Sequence, residues 1–438
     1  MPRGPTTKET DKRTCSRNHS ICRYFPGDTV SDVISLSEAS EIVIGGCSSL
    51  APIKVDCRLM SGRVVAQDVV ATEFVPPFAN TAVDGFAVRA QDVDKPGVEL
   101  EVLGVIGAGH VAEYQIGVGQ SARIMTGAPM PRGADAVVMI EDATVLSASR
   151  VRCNKAAKIG DAVREIGEDV RAGDVVFRAG EVINSAGIGV LAGINAREVS
   201  SFPKLRVAML STGDELVIDG STLRPGQIRE SNLTMLAAMI EATGCEVINL
   251  GIIDDDETKL EAVLRDVAAR CDAIVTSGGV GQGDFDVVKI VLSRIAEMKW
   301  MQMAIKPAKP FAFGKLKTGD QRVVPIFGLP GNPVSSMISF ELLARPALRK
   351  MMGHTVDLRR PTVRAIVDAP MKRKQDGKIH FMRVFGKFGE DGRLHVRDTG
   401  PQGSHQLAAT AQANGLAIVP DGQGLGVGAE VEVMLLGQ

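Results

Sequence analysis

A chain of 438 residues exceeds what one hydrophobic core ordinarily fills, so roughly two to four domains are expected. Hydrophobic residues at 45% and charged residues at 23% give the composition of a soluble globular protein. The net charge of -2 offers no basic face for nucleic acid, 4% aromatic residues leave little for base stacking, and no apolar run approaches the ~18 residues that cross a bilayer.

Residues 1–33 mix both charge signs with Pro, Ser and Thr and lack an apolar h-region, which reads as a disordered extension or an upstream start, not a signal peptide. The seven cysteines form no CxxC pair and the histidines no HxH or HExxH pattern. Reduced thiols in a cytoplasmic protein are expected, without a cysteine or histidine metal site.

From Ser37 to Ala51 the apolar spacing predicts a helix closed by Pro52. Short Val- and Gly-rich runs follow from about Arg63 to Val176, with turn signals every ten residues or so, and predict a mostly β region. Within it PPFANTAVDGFAVRA places Asp84 in an Asp-Gly turn, RIMTGAPMP carries Thr126, and REIGEDVRAGD carries Asp169. Composition alone assigns these three to turns.

Strand-like and helix-like segments alternate from Leu205 to Gly353, which predicts a parallel, doubly wound sheet with ligands outside the carboxyl ends of its strands. Asn232 reads as a cap of the first helix, and Leu260, Val263, Leu264, Val267 and Ala268 share one face of the second. STGDELV offers Glu215 after a buried strand, where the competing reading is a type I turn. Asp255 and Asp256 follow INLGII, where helix capping competes with a ligand role.

The most informative stretch is TSGGVGQGDFDVVK, Thr276–Lys289. Ala273–Val275 reads as its strand, and Val287, Val288, Ile290 and Val291 as the inner face of its helix. Ser277, Gly278 and Gly279 open a loop whose bare backbone N–H groups suit a phosphate, and Asp284 and Asp286 bring carboxylates to the same place. Phosphate and carboxylates coexist best around a cation, although a tight turn capped by either Asp is the plain alternative. The GxGxG spacing departs from the GxGxxG of dinucleotide sites.

AIKPAKPFAF then holds Lys306 and Lys309 in an extended, proline-stiffened segment suited to an oxyanion or to a protected sheet edge. GLPGNPVSS places Pro330 before the cap Asn332, with Pro333 in the first helical turn and Ser335 as a further donor. Beyond Gly353 short β-like runs predict a barrel of about eighty residues.

In order and spacing, PPFANTAVDGFAVRA, RIMTGAPMPRGADAVVMIE, GEDVRAGD, STGDEL, TSGGVGQGDFD, AIKPAKPFAFG and FGLPGNPVSS resemble the molybdopterin molybdenumtransferase family, MoeA and the C-terminal domain of gephyrin. The resemblance implies an elongated homodimer. Residues 34–78 and 167–204 would form a linking domain with the N-terminal helix, 79–166 an inserted β-rich domain, 205–353 the α/β molybdopterin-binding domain, and 354–438 a C-terminal β-barrel. It also implies insertion of molybdate into adenylylated molybdopterin with release of AMP. Mg2+ would sit on Glu215, Asp284 and Asp286, and an upstream molybdopterin adenylyltransferase would be a partner.

By motif, Asp84, Thr126, Asp169, Glu215, Asp255 and Asp286 match positions the family places around its catalytic cleft, and Lys306, Lys309, Ser335, Arg383 and Ser404 are the candidates for holding molybdate. Ser277, Gly278, Gly279, Asp284, Pro330, Asn332 and Pro333 complete the binding set. A non-catalytic pterin carrier and a pterin adenylyltransferase are the alternatives. The chain departs from the family at Val83, Phe86, Ala79, Gly281, Gln282, Gln302 and Ala308, where Gln302 replaces a frequent lysine and Ala308 a frequent glycine.

Overall fold

The structure is a computed structural model that describes residues 33–281 and 286–437. The expected N-terminal extension lies outside the described residues, apart from Val33, as does Asp284.

Leu36–Gly45 forms the first helix, opened by Ser35, whose side chain accepts from the Glu38 N–H while Glu38 answers to the Ser35 backbone. It stops six residues before the predicted Ala51. Gly46 is the reason: a Cβ there would lie 2.4 Å from the Phe313 ring, so the chain turns where only glycine fits. Ala39, Val43 and Cys47 bury against Phe313, Leu343 and Ala347, which makes this helix part of the α/β core.

That core is built around a six-stranded sheet ordered Glu246–Ile253, Arg206–Thr212, Ala273–Ser277, Val323–Leu329, Pro310–Lys317, Glu297–Gln302. The first four strands are parallel, with apolar runs because both faces are covered. The sheet is not wholly parallel as predicted: Pro310–Lys317 runs antiparallel to both its neighbours. Lys309 is followed directly by this strand, so a chain leaving Glu297–Gln302 turns back after seven residues, too few for a crossover helix.

Asn232–Ala242 and the rod beginning at Pro333 cover one face, whose core includes Leu233, Leu236, Ile240 and Ile338. Glu257–Ala268 and Val287–Ile295 cover the other through Leu260, Leu264, Val288, Val291 and Leu292. The Pro333–Met351 rod passes through a π segment at Phe340–Ala344. Pro346 has no N–H for the Leu342 carbonyl and its ring crowds that turn, which accounts for the widened register just before it.

The β-rich region before the α/β unit carries a second six-stranded sheet, ordered Ala136–Met139, Gly85–Val88, Gln120–Ile124, Val98–Ile106, Arg150–Cys153, Ala143–Ser147. Its flanks pair back on one another, Ile53–Asp56 with Glu198–Ser201 and Val69–Val70 with Val175–Phe177. At the C-terminus Ile379–Phe388 pairs through His380–Val384 with Gly415–Val419 and through Val384–Phe388 with Leu394–Asp398. Thr362–Val367 and Glu430–Leu435 complete the circuit, closing a five-stranded barrel around Val367, Val384, Val396, Ala417 and Val433.

Among the described residues no helix is long and apolar enough to cross a membrane. Cys47, Cys57, Cys153, Cys245 and Cys271 are buried free thiols.

Candidate functional site

Strand order decides where ligands can sit. Arg206–Thr212 sends its chain outward to Glu246–Ile253 on one side, and the chain returns to Ala273–Ser277 on the other. The connections depart in opposite directions and leave a crevice between the strand ends, the usual ligand position in such sheets. Ser211 lies beside Ser277, and Ser277 beside Leu329, so the loops bearing Glu215, Gly278 and Pro330 leave from one level.

Gly278 and Gly279 have φ of 93° and 77°, the left-handed region, and a Cβ on Gly279 would lie 2.3 Å from that of Val288. Both conditions require glycine there, and the loop is held tightly against the following helix. The Gly278 N–H donates to the Leu329 carbonyl, 3.0 Å, so it is spent within the fold. Asn232 is not a cap. Its Nδ2 donates to Ser277 Oγ and to the Gly331 carbonyl, 2.8 Å each, bracing two ligand-facing loops against each other. Glu230 caps that helix instead: its buried carboxylate accepts from the Leu233 N–H at 2.9 Å and from Ser211 Oγ at 3.2 Å. An acidic residue just ahead of the SNLTML run was the available signal for it.

Carboxylates gather on the first three strands of the sheet. Asp256 caps Glu257–Ala268 through the Lys259 N–H, 2.8 Å, and Asp254 pairs with Lys259, so Asp255 is the member of DDD left facing the site. Burial, and then the negative charges of Asp214, Glu215, Asp286 and Asp254, hold the Asp255 pKa above its ordinary value. Asp286 caps Val287–Ile295 through the Val288 N–H at 3.2 Å, and burial raises its pKa against the opposing backbone hydrogen bonds and Lys289. Val288, Val291 and Leu292 form the buried face of that helix, so Leu292 takes the place predicted for Ile290.

An acidic cluster of this kind fits a hard divalent cation by its donor chemistry. Among the described residues no three His, Cys, Asp or Glu side chains are arranged to hold a metal ion.

Because the folded-state pKa of Asp255 is raised, its charge costs stability at neutral pH, and that cost disappears as the pH falls below the ordinary carboxylate value of 3.8. Asp255→Asn should therefore melt at or above the wild-type temperature at pH 7, and differential scanning calorimetry should show the gap shrinking on acidification. A lower midpoint at pH 7 would show that Asp255 is held by attractive contacts.

Asp84 and Thr126 meet on the β-rich sheet. Asp84 Oδ1 accepts from the Thr126 N–H and Oγ1, 2.7 Å each, and these bonds hold the Asp84 pKa low. Asp169 is exposed in the turn whose backbone N–H reaches the Val75 carbonyl at 3.0 Å.

The basic candidates occupy the far edge of the sheet. Met303 N donates to the Lys309 carbonyl at 2.8 Å, while Ile305–Lys306 leaves the sheet to pair with Ile379–His380 of the barrel. Ala308, between the lysines, has φ of 75°, so this chain places an alanine where glycine is favoured.

Lys306 lines a cavity of about 330 Å³ whose wall Lys309 does not share. Arg383 is fully buried and does not present a free guanidinium: it donates to the carbonyls of Pro401, Gln402 and Gly403 at 3.0–3.1 Å. Burial lowers its pKa to about 10. Three carbonyl partners make it the anchor of the loop carrying Ser404, and it also lines the cavity beside Lys306.

The Ser404 carbonyl accepts from the Val334 N–H at 3.0 Å, which brings the barrel loop onto the start of the Pro333 rod beside buried Ser335. Asn332 occupies the cap position without a side-chain capping bond, Pro333 is in the first turn, and Pro330 is buried.

Comparison with known proteins matches residues 34–194 to the MoeA N-terminal region (domain I and II), 208–350 to a probable molybdopterin binding domain, and 364–436 to the MoeA C-terminal region (domain IV). A molybdopterin molybdenumtransferase of Haemophilus influenzae is 36% identical over 364 residues, 83% of this chain and 88% of that protein. Molybdopterin molybdenumtransferase 2 of Mycobacterium tuberculosis is 36% identical over 397 residues, 88% of this chain and 95% of that protein. The crystal structure of the molybdopterin biosynthesis moeA protein from Pyrococcus horikoshii OT3 is 27% identical with a TM-score of 0.74, covering 92% of this chain and 100% of its own. With three successive regions matched and relatives aligned across most of their length, the chain belongs to the MoeA family of molybdopterin molybdenumtransferases.

Proposed function

We propose that this protein inserts molybdenum from molybdate into adenylylated molybdopterin and releases AMP, completing the molybdenum cofactor. The observation that carries this reading is the separation of two unlike charge environments along one sheet edge. Glu215, Asp255 and Asp286 follow the first three strands of the order, whereas Lys306 and Lys309 lie between the last two. At about 4.8 Å per strand, the Asp286 loop and the lysines stand roughly 10–14 Å apart. A single elongated substrate with a phosphate bridge at one end and a sulfur-bearing pterin at the other suits that span.

In this reading the Gly278–Gly279 loop and Ser277 seat the phosphate, and Asp286 with Glu215 and Asp284 would hold Mg2+, which supplies charge neutralisation for the phosphoanhydride when bound. Asp255 would add negative charge beside them. Lys306 and Lys309 offset the charge of molybdate while the two dithiolene sulfurs replace two of its oxygens, which leave as two waters carrying the two thiol protons and two further protons from solvent. Water takes the adenylyl group, so no side-chain nucleophile is needed. Asp84, Thr126 and Asp169 would serve the cleft from a partner subunit in a homodimer.

The decisive measurement mixes the full chain with adenylylated molybdopterin, Mg2+ and molybdate, and follows AMP release together with reconstitution of a molybdoenzyme. Release that requires molybdate is the expected result. Pterin binding with no AMP released under any condition would make the protein a carrier and overturn the transferase reading.

A further inference from the structure

The cavity beside Lys306 contains cations the resemblance does not assign. Its wall includes Lys372 and Lys374 from the barrel as well as Lys306, with His380 and the Gly403 loop between them. None of these three lysines forms an ion pair with any described residue. Among the described residues no Asp or Glu lines the cavity.

The acids close by are already neutralised beneath it. Arg373, whose side chain is 1% exposed, binds Asp376 at 2.8 Å and Asp421 at 2.6 Å, and Asp376 also contacts His380 Nε2 at 3.1 Å and Lys378 at 3.9 Å. Arg383 contributes its charge from behind while its N–H groups hold the loop. Burial lowers the His380 pKa first, its hydrogen bond with Asp376 opposes that shift, and Arg373 and Lys306 add smaller depressions.

We propose that Lys372 and Lys374 of the barrel, facing Lys306 of the α/β unit, form the capture site for the free tetrahedral metal oxyanion. This rests on the transferase reading above and adds two residues to it. Three like charges around one space repel each other, and a dianion entering it relieves that repulsion while accepting hydrogen bonds from each ammonium. The two barrel lysines are exposed, so they hold the anion at the mouth and deliver it to Lys306. They also restore positive charge that Gln302 removes from the strand side.

Isothermal titration of the full chain with sodium molybdate, and separately with inorganic phosphate, tests the assignment. Lys372→Ala/Lys374→Ala should bind molybdate at least about tenfold more weakly and with a shallower salt dependence, whereas Lys372→Arg/Lys374→Arg should stay near wild type. Both positions are exposed, so the fold should tolerate either pair of changes.

Unchanged molybdate affinity in the alanine variant overturns the capture site and leaves the transfer reaction untouched. Tighter binding of phosphate than of molybdate also overturns it, since the pocket would then serve the phosphate of the pterin substrate. Weakened molybdate binding in the variant of a protein that releases no AMP supports the site and counts against the reaction alone.

Discussion

Asp286→Asn should reduce molybdate-dependent AMP release by about 100-fold or more while leaving pterin binding and the melting temperature close to wild type. The substitution is chosen for what it keeps. Asn retains an oxygen that can accept from the Val288 N–H, so the cap of Val287–Ile295 survives at a cost of a few tenths of a kcal/mol. What it removes is one negative charge in a partly buried setting that raises the carboxyl pKa. A loss of two orders of magnitude corresponds to about 2.7 kcal/mol of transition-state stabilisation, in the range expected for one ligand of a bound cation or one oxyanion donor. Unaltered AMP release in the variant would remove Asp286 from the chemistry and leave it as a cap.

The second large effect concerns stability. Glu341, 2% exposed in the π segment, receives both arms of Arg360 at 2.7 and 3.0 Å and lies 3.8 Å from Arg345. Burial pulls the Arg345 pKa down to about 10 even with Glu341 beside it. Glu341→Ala would leave two part-buried guanidinium groups with no carboxylate, and removing one partner of such a pair typically costs about 3–5 kcal/mol. Arg360 stands just before the first barrel strand, so the loss falls on the attachment of the barrel to the α/β unit. Urea denaturation followed by Trp300 fluorescence should show the midpoint fall sharply, and Glu341→Asp should recover part of it. A change under about 0.5 kcal/mol would mean the ion pair is replaced by solvent at no cost.

The α/β unit was legible because its strands are buried on both faces and its helices follow a 3.6-residue period, as at Leu260, Leu264 and Val267. The reversed strand Pro310–Lys317 was not. Direction within a sheet depends on how far the chain must travel between strands, and PFAFG reads the same either way. The early end of the first helix depended on Phe313, some 270 residues away, which no local pattern reveals.

The site shows the same division. Gly278, Gly279 and Asp286 announce themselves because loop conformation and helix capping are local. For Arg383 a sequence displays the charge but not the three carbonyl partners that make it a loop anchor as well. Lys372 and Lys374 were silent, as isolated lysines on the short Met371–Lys372 strand beside the barrel and on the turn after it are ordinary until the fold turns them toward Lys306.

The segment 303–309 has an implication for how the molecule comes together. Its backbone bonds to Ile34, to the edge of the sheet through Gln302 and Pro310, and to Ile379 of the barrel, three stretches distant from one another in the chain. The glycine loop needs only strands and helices already synthesised by about residue 340, whereas Lys306 reaches its final surroundings once the barrel has closed. On the proposed reading of the site, the half assigned to phosphate would therefore be complete first during synthesis, and the half assigned to the oxyanion only once nearly the whole chain has emerged. A nascent or truncated product would be able to hold the pterin end of its substrate before it had anywhere to put the oxyanion.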